Sequence, residues 1–131
     1  MLAALEDKPG RVVVVDLGGG VMTVVRGDQS QVDALVVVVE PYPRSAEVGR
    51  RLLETAAANG ITRRVVVANK IADAEDLAAL RRFLGVEPDL VIPADRGVSG
   101  ADRVGASPID HDPGSAALGV IRQLASALLP R

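Results

Sequence analysis

The chain has 131 residues, 48% hydrophobic and 24% charged, with a formal net charge of −2. That length suits one domain, spanning 1–131, with enough chain to bury a core. The weakly acidic balance argues against nucleic acid as the main partner. Tyr42 and Phe83 are the only aromatic residues, too few for base stacking. There is no cysteine, so these residues hold no disulfide, no thiolate nucleophile and no cysteine-ligated metal. That lack fits a reducing cytoplasm, the expected location. Glu6 and Asp7 stand where a signal peptide would need an apolar stretch. No apolar run approaches the ~20 residues of a membrane span, so no membrane partner is expected.

In chain order, Met1 to Glu6 reads as the end of a short helix stopped by Pro9-Gly10. The β-branched run Val12–Val15 predicts a first strand, ending at Asp16-Leu17 and a turn at Gly18–Gly20. Val21–Arg26 suits either an extended segment or a poor helix, and Asp28 to Asp33 a polar loop or helical turn. Ala34–Val39 predicts a second strand, closed by Glu40-Pro41-Tyr42-Pro43, which cannot continue a sheet interior. Ser45 is placed to cap a helix with Val48, Leu52, Leu53 and Ala56 on one side and Asn59-Gly60 as its stop. Val65–Ala68 predicts a third strand ending at Asn69-Lys70. Asp73 then caps a helix carrying Leu77, Leu80 and Leu84, stopped by Gly85. Leu90–Ile92 predicts a short fourth strand running into Pro93-Ala94-Asp95. Residues 96–114 read as loop with about one helical turn. Ser115 opens a last helix with Leu118, Ile121, Leu124, Ala125 and Leu128 facing inward, ending at Pro130.

Strands with no polar face belong in parallel sheets covered by helices on both sides. The expected fold class is therefore α/β: a mostly parallel sheet of about four strands flanked by helices, joined by right-handed crossovers. Parallel strands put their carboxyl ends on one edge, where open α/β sheets bind ligands. That edge should gather Asp16, Glu40, Asn69-Lys70 and Pro93–Asp95.

Each piece has a functional and a plain reading. Asp16 with Gly18–Gly20 could form an anion-binding nest or only a tight turn with a solvated acid. Asn69-Lys70 starts like the NKxD guanine motif, but its last position is Ala72, which accepts no hydrogen bond. An asparagine amide both donates and accepts, so Asn69 suits adenine; its plain reading is a turn-stabilising side chain. Pro93-Ala94-Asp95 could set backbone groups against a base or simply end a strand. Asp110-His111-Asp112 has metal-ligand residue types but is read as a solvated loop, because sequence-local ligands alone seldom close a site. The pairs Arg50-Arg51, Arg63-Arg64 and Arg81-Arg82 are read as solvated faces diluted by Glu47, Glu54, Glu75 and Asp76.

The ordered series of these pieces resembles the second half of the MinD/ParA-type P-loop ATPases. The likeness is nearest to the carbon monoxide dehydrogenase maturation, or nickel-insertion accessory, branch. That branch has an apolar strand, D-x-x-A-G, a Glu-His pair and then Arg-Gly; in VVVVDLGGGVMTVVRG, Asp16, Gly20, Arg26 and Gly27 match in register. The resemblance continues through VDALVVVVEP, the Asn-Lys of VVVANK, VIPAD and GASPID, over nearly the whole chain. It implies ATP and Mg2+ as cofactors, with Asp16 ordering the magnesium shell and Gly20 hinging a switch loop. Asn69, Lys70, Pro93, Ala94 and Asp95 would lie around the adenine. It also implies a homodimer or a partner ATPase chain, and a metalloenzyme client.

Gly19 replaces the motif's alanine and Met22-Thr23 its Glu-His pair. No GxxxxGK[ST] phosphate loop occurs in these residues. Without its lysine and oriented N–H groups, stabilisation of phosphoryl transfer is mostly lost. The expectation is a nucleotide-binding-type domain that does not hydrolyse ATP alone. The alternatives are a non-enzymatic interaction protein, using a sheet edge or Val21–Val25, and a truncated fragment without a role of its own.

Overall fold

A computed structural model describes residues 11–18 and 32–129. A three-stranded parallel sheet, in the order β1-β2-β3, forms its centre. The strands are β1 (Leu35–Val39), β2 (Arg64–Ile71) and β3 (Leu90–Pro93). The helices are α1 (Pro43–Ala58), α2 (Ala74–Leu84), α3 (Arg96–Arg103), α4 (Pro108–His111) and α5 (Ala116–Leu128). The α/β class, the parallel sense and the helical flanks are as expected.

The register places Leu35 opposite Arg64 and Val39 opposite Ala68. On one face Val37, Val39, Val66 and Ala68 bury themselves under α1 and α2 with Leu80 and Leu84. On the other, Val67 and Ile92 pack against Ala117, with Val120 and Leu124 around them, so α5 is the cover. With only 2% aromatic residues, this core is filled by aliphatic side chains. Burying each of the enclosed Leu80 and Leu84 contributes about 1.5–3 kcal/mol.

The helix boundaries follow from local chemistry. Pro43 opens α1 at a position where its missing N–H is no loss. Asp73 caps α2 by accepting from the N–H groups of Glu75 and Asp76, both at 2.9 Å. Gly85, at φ +77°, ends it in a left-handed turn. Acids in its first turn and arginines in its last complement the helix dipole. Gly49 lets α1 lie close on β1, where a Cβ would collide with Val39 Cγ1.

Four expectations are corrected. Val12–Val15 is not a buried strand: the segment is unpaired and its valines are exposed, Val14 by 90%. Strand propensity is a fit to a pleated, half-buried surface, and no neighbouring strand supplies one here. Three strands therefore stand where about four were expected among the described residues. Ser45 does not cap α1, which begins at Pro43 after an uncapped Tyr42. Its hydroxyl instead accepts from the Glu40 N–H at 2.9 Å. Within 96–114 there are two helices, α3 and α4, where one turn was expected. Ile121 and Ala125 point outward, because α5 covers a narrow sheet and a thin stripe suffices. The readings of Met1–Glu6, Pro9-Gly10, Gly19–Gly20, Val21–Arg26, Gly27 and Pro130, and that of Asp28 to Asp33 up to residue 31, lie outside the described residues.

Candidate functional site

Parallel pairing brings the ends of all three strands to one edge. Glu40 follows β1, Asn69 and Lys70 lie near the end of β2, and Pro93 ends β3 with Ala94 and Asp95 behind it. Asp16 is not brought there as a strand end, since no strand precedes it.

β2 is irregular where the sequence points to chemistry. Ala68 faces Val91 and Ile71 faces Pro93, so β2 carries one extra residue between them, a β-bulge. Lys70 within it sits at φ +58°, the only non-glycine residue with positive φ among the described residues. Strained backbone of this kind persists where surroundings enforce it, and it concentrates at functional sites. Lys70 Nζ reaches Glu40 Oε1 at 2.6 Å across the rim. That hydrogen bond, with the charge of Glu40, raises the lysine above its ordinary value and keeps it protonated. Strand alternation puts half-buried Asn69 on the face shared by Val65 and Val67, the face under α5. Val98 of α3 packs on that same face.

Asp95 is the most engaged side chain of the rim. Its Oδ1 accepts from the N–H groups of Gly97 at 2.7 Å and Val98 at 3.3 Å, capping α3. Its Oδ2 accepts from the Ser115 hydroxyl at 2.7 Å and the Ala117 N–H at 3.1 Å, joining the start of α5 to the start of α3. The Ser115 hydrogen bond leads the causes that hold the carboxyl down at about 2. Both oxygens serve the fold, and the Ala94 N–H is spent on the Ile71 carbonyl at 2.9 Å, so this turn has no backbone donor at Pro93 or Ala94 to offer a ligand.

Asp16 is exposed, and its Oδ1 accepts from the Gly18 N–H at 2.9 Å, with Gly18 at φ +62°. This is the tight-turn geometry that Asp-x-Gly favours. Gly20 lies outside the described residues. Among the described residues no three His, Cys, Asp or Glu side chains converge as a metal site. Asp110 and His111 lie exposed in α4, a short helix where a loop was expected. The arginine pairs are solvated or half-buried; Arg50 and Arg51 share Glu47, at 3.1 and 2.8 Å.

Sequence reasoning overlooked two participants. Glu40 was the one strand end given no ligand role, although it ends a β-branched run as Asn69 does. Ser115 was read as a helix cap, which it is, through Leu118 N–H at 3.4 Å. Its tie to Asp95 spans twenty positions and leaves no local signal.

The chain is thus an α/β domain with polar side chains gathered at the carboxyl edge of a parallel sheet, the edge where open α/β sheets bind their ligands. No protein-family model matches the chain. It is similar to "Carbon monoxide dehydrogenase accessory protein CooC" of Rhodospirillum rubrum, with 31% identity over 115 residues. The aligned part is 86% of this chain but 43% of that protein, so the chain spans under half the length of the relative it matches. That likeness supports the expected kinship with the carbon monoxide dehydrogenase accessory branch. No helix among the described residues is long and apolar enough to cross a membrane.

Proposed function

We propose that this chain is the base-binding part of a MinD/ParA-type ATPase domain, related to the CooC-like maturation ATPases, and that it does not hydrolyse ATP alone. The observation that carries the reading is the shared rim: Asn69, the Lys70 bulge and the Pro93-Ala94 turn meet at one sheet edge. The sequence around them is collinear with an accessory protein of carbon monoxide dehydrogenase.

The residues present fit the base of a nucleotide better than its phosphates. Asn69 offers an amide that both donates and accepts, at the same edge as the Pro93-Ala94 turn, whose contribution is limited to carbonyl oxygens because the Ala94 N–H bonds Ile71. Magnesium usually takes one or two carboxylates along with water and phosphate oxygens. Asp16 fits one such position and no more, because no acidic cluster supports it among the described residues. The metalloenzyme client and the homodimer or partner ATPase chain belong to the same proposal, as does a cytoplasmic setting.

Calorimetric titration with AMP, ADP and ATP tests it. Adenine-side recognition predicts weak binding that changes little with phosphate number and drops at least about tenfold, 1.4 kcal/mol, in Asn69→Ala. Absence of binding to all three, or binding indifferent to Asn69→Ala, would overturn the reading.

A further inference from the structure

We infer that the free edge of β1 binds a second copy of this chain, which supplies Val12–Val15 as an added parallel strand. The inference stands on the sheet edge alone and is independent of nucleotide binding.

Leu35 donates its N–H to the Arg63 carbonyl at 3.0 Å, so β1 turns its odd-numbered residues' backbone toward β2. Alternation then turns the N–H and C=O groups of Val36 and Val38 to the other side. No strand pairs with that side among the described residues. Natural edges are blunted by charge, proline or a bulge, yet Leu35–Val39 has none of these. The one stop lies beyond the strand, where the Ser45 hydroxyl accepts from the Glu40 N–H. Beside this edge runs an open cavity of about 450 Å³, lined by Val38, Tyr42, Val48 and Leu52 among others. Val38 is 56% exposed although it lies mid-strand.

The complement is on the same chain. Val12–Val15 offers four consecutive β-branched residues with no sheet to join and nearly the length of β1. Leu17 packs against the core under α1, yet the valines just before it are not laid on β1. The pairing left unmade within one copy is available between two. Each copy has this β1 edge and one strand to exchange for it, so a reciprocal exchange is satisfied by two copies and needs no third.

The absence of cysteine makes the test clean. Val14→Cys and Val38→Cys chains are mixed and oxidised, with Val14→Cys plus Val104→Cys as a collision control, and a chain carrying both Val14→Cys and Val38→Cys is oxidised alongside. In parallel, hydrogen exchange of the unmodified chain is followed at the Val36 and Val38 amides over rising protein concentration. The inference expects a covalent heterodimer well above the control and amide exchange slowed about tenfold or more at high concentration. Val14→Asp, at a fully solvated position, should abolish that slowing while leaving the circular dichroism unchanged. Three results would overturn the inference: cross-linking no better than the control, amides that exchange freely at all concentrations, or protection independent of concentration with a disulfide forming only inside a chain carrying both cysteines.

Discussion

Asp95 shows how a residue at a rim can serve the fold first. One carboxylate receives four hydrogen bonds from the first turns of two helices. Its folded value of about 2 lies below the ordinary 3.8, so folding favours the charged form. The stability this adds is complete above the ordinary value and disappears as pH falls toward the folded one. Asp95→Asn keeps an oxygen for the α3 cap but loses an acceptor for Ser115 and Ala117. Its melting temperature should lie several degrees below that of the unchanged chain at neutral pH. The gap should close as pH drops from about 4 to about 2; a constant gap would mean the depressed value does not come from folding. Gly49 gives a second test at this scale. An added Cβ meets Val39, whose branched side chain has no easy alternative rotamer. Gly49→Ala should therefore cost about 1–3 kcal/mol in denaturant unfolding.

At the scale of elements, the bulge of β2 sets fold against function. Lys70→Gly removes the left-handed strain together with an exposed ion pair, which contributes little. Under the nucleotide reading, thermal unfolding should show a gain in stability and titration a loss of nucleotide affinity. A gain in both would argue that the strained lysine has no part in binding. Capping is plainer: Asp73→Ala should weaken the protein by about 1 kcal/mol, seen as a lower denaturant midpoint.

Most elements were legible in the sequence for physical reasons. β1, β2 and β3 announce themselves by β-branched runs that end in polar or proline-bearing turns. The ends of α2 follow from Asp73 and Gly85, whose roles are local. Sequence does not show whether an apolar run has a neighbour, and Val12–Val15 has the composition of a strand without a strand to pair with among the described residues. Nor does sequence show contacts between distant positions, such as Asp95 with Ser115 or Lys70 with Glu40. The glycines of α3 obscure it: Gly97 and Gly100 read as loop, yet a Cβ at Gly97 would collide with Asp112 and one at Gly100 would crowd His111.

At the scale of the molecule, the sheet supplies a rim but no phosphate loop occurs in the sequence. Phosphoryl transfer depends on oriented charges around the transferring group. The chain alone should therefore release no phosphate from ATP above background in a steady-state assay. Turnover that disappears in Asp16→Ala would show catalysis where none is expected.

Helix α5 is fastened at both of its ends. Asp95 holds its first turn from the carboxyl edge of the sheet, and the Arg63 guanidinium donates to the Ala127 carbonyl in its last turn from the opposite edge. It thus works as a crossbar over β2 and β3, with the valine-lined underside as its only seat. Cutting one fastening leaves the bar hinged on the other; cutting both should let it lift as a unit and wet an entire side of the sheet at once.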